Sequence, residues 1–306
     1  MRRTVLNILL LFPLLAYADH FIEFGLHGGG ALWNAKTNYV QKQVGLHAGG
    51  QIYYSLLSSE LFGFRTGLTI DYHNPAFAKL NYEDAYSTTD VENQQMDISY
   101  SIGRLREYHT MWSVGIPLQL ALSVKQFTLF IGPKAVFPLK STWTQTIENA
   151  SLSIYYPDYD NHVEESDVLA ASRSFMQISK EQWKMPKVQF WLSAELNYAI
   201  PINTLTTQSY NTTSTRLHSY IMVGAYFDYC VSRLSSEASD TESLIMLTDT
   251  REGLPLQRLY SSVWEGNRQQ QQLVKSGTLF DVGIKISYAL SPFNPAKSSK
   301  HSCHCL

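Results

Sequence analysis

The sequence predicts an all-β fold: an eight-stranded antiparallel transmembrane β-barrel of the outer-membrane type, built as an up-and-down meander with long extracellular loops. Eight segments alternate apolar residues with polar or small ones at a period of two. These segments run to about ten to fifteen residues, which is nearer to the 9–11 of a tilted membrane strand than to the five or six of an ordinary strand. An export signal precedes them.

Residues 1–18 are predicted to be that signal, a secretory signal peptide. Arg2 and Arg3 precede the apolar stretch Val5–Leu15, and Ala16–Ala18 forms an A-x-A cleavage site. A membrane anchor is the alternative, but the stretch is too short to cross about 30 Å of hydrocarbon. Residues 19–290 are then expected to form the barrel, and residues 291–306 a flexible periplasmic C-terminal tail.

The last of the eight segments, Phe280–Leu290, shows the alternation most clearly. Its even positions are aromatic or aliphatic and its odd positions are small or charged. Because successive side chains of a strand point to opposite faces, this strand has one apolar and one polar face. The other seven segments are Phe21–Leu32, Val44–Tyr54, Phe62–Tyr72, Thr110–Val124, Phe127–Leu139, Val188–Ile200 and Leu217–Tyr229.

A soluble β-sandwich also alternates, but it turns its polar faces outward. Here the strand lengths favour the opposite arrangement, in which apolar faces meet lipid and charges lie inside, as in a transmembrane barrel. The sheet must close, since lipid cannot satisfy an open edge.

The lengths of the connections support a barrel of this kind, because such barrels have short periplasmic turns and long outer loops. The predicted periplasmic turns are Ser55–Leu61, Lys125–Gln126 and Asn203–Arg216. The predicted outer loops are Trp33–Gln43, His73–His109, Lys140–Lys187 and Cys230–Thr278.

Composition excludes several other classes of protein. The net charge is −2, so the chain lacks the basic excess of a nucleic-acid binder. Three cysteines are too few for a disulfide scaffold, and 13% aromatic residues with 16% charged ones do not fit a disordered chain. No long apolar run follows residue 18, which excludes a polytopic helical membrane protein.

The inward-facing positions predict a polar network in the barrel interior. Its charged members are Glu23, Arg65, Asp71, Lys134, Glu195, Asp228, Asp281 and Lys285, and its other members include His27, His47, Gln51, Gln119 and Asn197. Unpaired buried charges are costly, so we expect these groups to pair across the lumen. Eight strands leave little room for water, which favours a packed, hydrogen-bonded core over a polar pathway or gate.

Two stretches resemble a known family. VGLHAGGQIYYSLLSSELFGFRTGLTIDY is similar to the opening hairpins of PorT-like outer-membrane β-barrel proteins of the Bacteroidetes type, and FDVGIKISYAL resembles their closing strand. The shared elements are Gly45, Gly49, Tyr53 and Phe62–Leu68. The resemblance implies an outer-membrane location and an eight-stranded barrel. Some members take part in protein secretion or gliding machinery, and the resemblance implies no reaction.

Three further groups of residues suggest chemistry, and each has a plainer interpretation that we favour. His301, Cys303, His304 and Cys305 are ligand types for Zn²⁺ or Cu⁺, but their spacing is cramped and a frayed tail is expected. The acidic stretch Asp158–Asp167 offers oxygen ligands for Ca²⁺ but lacks the EF-hand order, so a solvated loop is expected.

The third group lies at the predicted outer rim, where His73, His109, Ser113 and Glu107 are expected to be neighbours. Some small barrels hydrolyse lipids or peptides with such residues, but no nucleophile signature such as GxSxG accompanies these. The sequence therefore predicts no catalytic site, no metal and no cofactor.

The predicted function is non-enzymatic: a membrane scaffold whose long surface loops bind a protein partner or a surface ligand, as an accessory of a secretion or envelope machinery. Three predicted outer loops are longer than about thirty residues, and loops of such length are often functional. The expected partners are outer-membrane lipid and the ligand of the loops, with no nucleic acid. The alternatives are a narrow pore or transporter, and an enzyme at the rim.

Overall fold

The structure, a computed structural model, describes residues 19–35, 41–57, 61–89, 92–164, 187–207, 215–232, 234–235, 237–238, 245–248, 256–259, 265–266 and 276–291. The predicted signal peptide and residues 292–306 of the predicted tail lie outside the described residues. Both therefore stay predictions.

Long antiparallel strands form nearly all of the described chain. In chain order the strands are β1 (Asp19–Ala35), β2 (Gln41–Leu57), β3 (Phe62–Thr89), β4 (Gln95–Val124), β5 (Phe127–Tyr156), β6 (Asn161–Glu164), β7 (Gln189–Thr207), β8 (Thr215–Cys230), β9 (Leu234–Ser235), β10 (Glu237–Ala238), β11 (Ile245–Thr248), β12 (Leu256–Leu259), β13 (Glu265–Gly266) and β14 (Ser276–Ser291). The described helical structure is one 3₁₀ turn, Pro157–Tyr159. No helix of the described residues is long and apolar enough to cross a membrane.

Eight of these strands close into a barrel. Each pairs antiparallel with its neighbour in the order β1-β2-β3-β4-β5-β7-β8-β14, and β14 pairs back onto β1. The closing pair runs from Ile22 opposite Leu290 to Ala35 opposite Gly277. Because the ring closes along its whole length, the barrel strands leave no open edge there. The predicted fold class, an eight-stranded antiparallel up-and-down barrel, is confirmed.

The two faces of the barrel are inverted relative to a soluble protein. Apolar side chains point outward and are exposed, with Leu26 at 68%, Leu118 at 59% and Ile284 at 73%. Their neighbours in sequence point inward and are buried, as Gln119 and Lys285 show at 1% and 3%. Period-two alternation in the sequence thus becomes an apolar outer band around a polar interior, the arrangement of transmembrane β-barrels.

The predicted outer loops at residues 73–109 and 140–187 are wrong in part. β3 continues to Thr89, β4 begins at Gln95, and β5 continues to Tyr156, so much of both predicted loops is strand. Pro75 lacks a backbone N–H and is unpaired in the register, and proline usually marks a strand end. Pairing resumes at Ala76 opposite Tyr108 and continues to Thr89 opposite Gln95.

We call the part of β3 and β4 from Lys79 to Leu105 the extended hairpin. One of its faces is apolar and buried, with exposures of 5% or less at Tyr82, Tyr86, Ile98, Tyr100 and Ile102. Asp84 lies on the same face and accepts hydrogen bonds from Tyr82 at 3.1 Å and Tyr100 at 2.8 Å. The hairpin is therefore an ordered extension of the barrel wall.

The exposure pattern predicts where a charge is tolerated. Leu118 lies midway along the apolar band on β4, so Leu118→Lys should lower the free energy of unfolding in a bilayer by about 2–4 kcal/mol. Leu80 is similarly exposed, at 51%, but lies on the extended hairpin, so Leu80→Lys should change it by less than about 0.5 kcal/mol. Urea unfolding in lipid vesicles measures both values, and equal effects would contradict an outer band that faces lipid.

Candidate functional site

The barrel interior is the best-defined candidate site. The structure places all eight charged residues of the sequence-predicted network inside, each at most 4% exposed: Glu23, Arg65, Asp71, Lys134, Glu195, Asp228, Asp281 and Lys285. They form two groups, one above the other along the barrel axis. We call the group nearer the short turns the arginine cluster and the other the histidine cluster.

The arginine cluster consists of Glu23, Arg65, Glu195 and Lys285, contributed by β1, β3, β7 and β14. Arg65 Nη2 lies 2.6 Å from Glu195 Oε2, and Arg65 Nη1 lies 3.5 Å from Glu23 Oε2. Lys285 Nζ lies 3.0 Å from Glu23 Oε1 and also contacts Glu195 Oε2. Two acids thus meet two bases, so the cluster is electrically balanced.

Neutral side chains complete the bonding of this cluster. Arg65 donates from Nε and Nη2 to Gln119 Oε1 at 2.9 and 2.6 Å. Gln51 and Ser287 donate to Glu23 at 3.0 and 2.7 Å. The Arg65 guanidinium also lies 3.6 Å from the ring centre of Phe130, a cation–π contact.

The histidine cluster consists of Asp71, Asp228, Asp281, Lys134, His27, His47 and His73. Lys134 Nζ lies 2.9 Å from Asp71 Oδ2 and 3.0 Å from Asp228 Oδ2, so one ammonium group bridges two carboxylates. Asp71 also accepts a hydrogen bond from Thr69 at 2.7 Å. Asp281 has no lysine or arginine within ion-pair distance among the described residues.

Three histidines on adjacent strands β1, β2 and β3 surround these carboxylates. His27 Nε2 lies 2.8 Å from Asp71 Oδ1, and His73 Nδ1 lies 3.0 Å from Asp281 Oδ2. His47 stands between them, 3.9 Å from both of those oxygens, and its Nδ1 lies 2.6 Å from the Tyr226 hydroxyl. The rings of His47 and His73 stack with centres 4.6 Å apart.

Glycines at inward positions make room for this cluster. A Cβ on Gly49 would collide with His27 Nε2 and the Asp71 carboxylate. A Cβ on Gly115 would lie 2.5 Å from both Lys134 Cε and Thr69 Oγ1. Glycine inside a strand often marks such a close approach, and here the approaching groups are the charged side chains of the lumen.

Apolar layers lie at both ends of the polar network. Toward the short turns, Phe130, Met222, Ala121 and Ala289 form a buried apolar cluster. Toward the other end, Trp33 stacks on Phe77 with ring centres 5.7 Å apart, and both rings contact His109 edge-on. The charged groups are therefore enclosed within a packed lumen.

The structure brings the predicted rim residues together, but inside the lumen. Ser113 Oγ lies 3.3 Å from His73 Nε2, and Glu107 Oε1 lies 2.9 Å from His109 Nε2. Ser113, His73 and Asp281 follow one another in the order of a Ser–His–Asp triad. The Ser113 side chain is fully buried, however, and a nucleophile must be reachable by its substrate.

The other two candidates from the sequence lie apart from the lumen. Asp158 lies in the 3₁₀ turn and Asp160 directly after it, both exposed, and Glu165 and Asp167 lie outside the described residues. Tyr155 donates a hydrogen bond to Asp160 at 3.1 Å, which raises the pKa of the Tyr155 hydroxyl. The four ligand-type residues of the tail also lie outside the described residues.

Sequence reasoning missed the convergence of three histidines on two aspartates. His27 and His47 occupy recognisable inward positions, but His73 lies one step beyond the predicted end of its strand. Tyr226 lies on the predicted polar face of its strand, but its contact with His47 was not predicted. The continuation of period-two alternation past Tyr72 was the signal that could have placed His73 inside.

Breaking the arginine cluster should be costly. Arg65→Met leaves Glu23 and Glu195 with one base between them, and should lower the free energy of unfolding by about 3–5 kcal/mol. Adding Glu195→Gln should recover part of the loss, because it restores the charge balance. Lys42→Gln, at an exposed position on β2, is the matched control and should change stability by less than about 0.5 kcal/mol. Urea unfolding measures all three, and a neutral Arg65→Met would contradict the pairing.

Comparison with known proteins does not assign this chain to a family. No family model matches the chain, and no curated protein matches it significantly. Among solved structures, Ail, the attachment invasion locus protein of Yersinia pestis crystallised with the heparin analogue sucrose octasulfate, is 8% identical, covers 88% of this chain and 99% of its own, and gives a TM-score of 0.27. A Pseudomonas aeruginosa FadL homologue is 6% identical over 90% of each chain, with a TM-score of 0.17. Scores this low carry no argument about this chain.

Proposed function

We propose that this protein is an exported, outer-membrane barrel of non-enzymatic type that anchors a rigid binding surface outside the membrane. The outer apolar band supports membrane insertion, because exposed side chains such as Phe64, Leu68 and Ile70 would otherwise meet water. The predicted signal peptide supports export. Membership of the PorT-like family stays a prediction from the two sequence stretches that resemble it.

The extended hairpin is the observation that carries the binding role. β3, β4 and β5 have 28, 30 and 30 residues, against 16 to 19 for the other barrel strands. A strand of about 9–11 residues suffices to cross the bilayer. The excess therefore projects as a sheet on the side of the long connections, where such barrels meet the exterior.

The outer portion of that sheet is built to keep its shape. β4 pairs with β5 from Asp97 opposite Tyr155 to Arg104 opposite Glu148. The extended hairpin is therefore part of a three-stranded sheet. Burial raises the pKa of the Tyr82 hydroxyl far above its usual value, with the neighbouring Tyr100 and Asp84 acting in the same direction. Tyr82 thus stays a neutral hydrogen-bond donor to Asp84. A preformed surface loses less conformational entropy on binding than a flexible loop does.

The opposite face of the extended hairpin is polar and exposed. Glu83, Ser87 and Ser99 point away from the buried tyrosines. Such a face suits a hydrated protein or saccharide surface better than an apolar ligand, because its side chains can form direct and water-mediated hydrogen bonds with the partner. The packed lumen favours this role over a pore, because its charged groups are buried and enclosed between apolar layers.

Removing the extended hairpin should abolish binding of the partner and leave the barrel able to fold. Replacing Lys79–Leu105 by Asn-Gly joins Ala78 to Arg106, which already face each other in the ladder. The shortened protein should keep the heat-modifiable migration of a closed barrel, yet lose the proteins or saccharides that co-purify with the intact protein from native envelopes. Co-purification of the same molecules by the folded, shortened protein would contradict this binding surface.

The packed lumen predicts that the barrel does not conduct ions. Purified protein in a planar bilayer should show no steady conductance, because the arginine and histidine clusters fill the cross-section. A stable, reproducible unit conductance would instead favour a pore or transporter.

A further inference from the structure

We propose that the histidine cluster binds one divalent transition-metal ion through His47, His73 and Asp281, and that Zn²⁺ suits these ligands best. Each side chain offers one ligand atom, an imidazole nitrogen or a carboxylate oxygen, and the three atoms lie within 4.8 Å of one another. Each side chain is at most 2% exposed. Two imidazoles and one carboxylate are a common ligand set for zinc, with water in the fourth position. The site is independent of the proposed surface function.

The spacing of the ligand atoms fits such an ion. Zn²⁺ bonds of about 2.0–2.2 Å in a tetrahedron hold neighbouring ligand atoms roughly 3.3–3.5 Å apart. Asp281 Oδ2 lies 3.0 Å from His73 Nδ1 and 3.9 Å from His47 Nε2, so the ideal spacing falls between the two distances. Side-chain movements of about half an ångström would bring Asp281 Oδ2 to the ideal spacing from both nitrogens.

The atoms that would face the ion have few partners of their own. His47 Nε2 and Asp281 Oδ1 are buried without a hydrogen-bond partner, while His73 Nδ1 and Asp281 Oδ2 lie 3.0 Å from each other. Buried polar atoms are nearly always satisfied, so the two unpartnered atoms need an explanation. A metal ion satisfies them together.

The remote nitrogens of both rings already have partners of the kind that metal-bound histidines use. His47 Nδ1 contacts the Tyr226 hydroxyl and His73 Nε2 contacts Ser113 Oγ, at 2.6 and 3.3 Å. When each remote nitrogen donates its proton to that oxygen, the lone pair of the other nitrogen is free to bind metal. The Ser113–His73–Asp281 alignment is then a ligand arrangement and not a triad.

Charge balance points to a dication. The histidine cluster has three carboxylates, Asp71, Asp228 and Asp281, and one ammonium group, Lys134. The carboxylates of this cluster therefore outnumber its ammonium group, whereas the arginine cluster is balanced. Uncompensated buried charges are costly, and one divalent ion would neutralise this deficit.

A second group of ligand atoms, from His27, His47 and Asp71, is less suited to hold the ion. Asp71 Oδ1 is within hydrogen-bond distance of His27, and Asp71 Oδ2 contacts both Lys134 and Thr69. Its carboxylate is therefore already satisfied, whereas Asp281 Oδ1 has no hydrogen-bond partner.

Zinc and cobalt titration of the full-length protein tests the proposal. The background variant has His301→Asn, Cys303→Ser, His304→Asn and Cys305→Ser, which removes the ligand-type residues of the tail. After chelation in detergent, this protein should bind one Zn²⁺ per chain, and Co²⁺ should produce the visible absorption bands of a tetrahedral site. His73→Gln and Asp281→Asn should each weaken Zn²⁺ binding at least about a hundredfold, while His162→Gln, at an exposed position, should leave it unchanged.

The effect of Zn²⁺ on stability gives a second test of the ligands. Zn²⁺ should raise the urea midpoint of the background protein, and Asp281→Asn should abolish that rise. Heat-modifiable migration checks that each variant folds. A background protein that binds no stoichiometric Zn²⁺ overturns the proposal, whatever the variants do. So does Zn²⁺ binding of unchanged affinity in folded His73→Gln or Asp281→Asn.

Discussion

Closure of the sheet between β1 and β14 is the constraint on which the rest of the structure depends. Once the ring is closed with apolar side chains outward, every second residue must point into a narrow lumen. Charged residues in those positions have no water to solvate them, so they must neutralise one another. The arginine cluster achieves this with two acids and two bases, whereas the histidine cluster sets one lysine and three histidines against three carboxylates.

Much of this could be predicted from the sequence, because alternation, turn length and face polarity are local properties. The inward position of Arg65 or Lys285 follows directly from the parity of its strand. Which charges pair could not be predicted, since Arg65 and Glu195 lie on β3 and β7, and their approach depends on strand tilt and stagger.

Strand ends were harder to predict for a different physical reason. Pro75 and the polar residues after it resemble a loop when only side-chain chemistry is considered. In the structure the backbone of β3 is satisfied by β4 beyond that proline, and Tyr100 of β4 donates a hydrogen bond to Asp84 of β3. Partners on the neighbouring strand therefore stabilise an extension that the composition of either segment alone does not predict.

The central claim is that even-numbered residues of β14 face lipid and odd-numbered ones face a packed lumen. Spin labels placed singly at residues 281–287, after replacement of the native cysteines, test it through collision with oxygen and with a water-soluble nickel complex. We expect high oxygen accessibility at 282, 284 and 286, and low accessibility to both reagents at 281, 283, 285 and 287. High nickel accessibility at the even positions would contradict it, because those side chains would then face water.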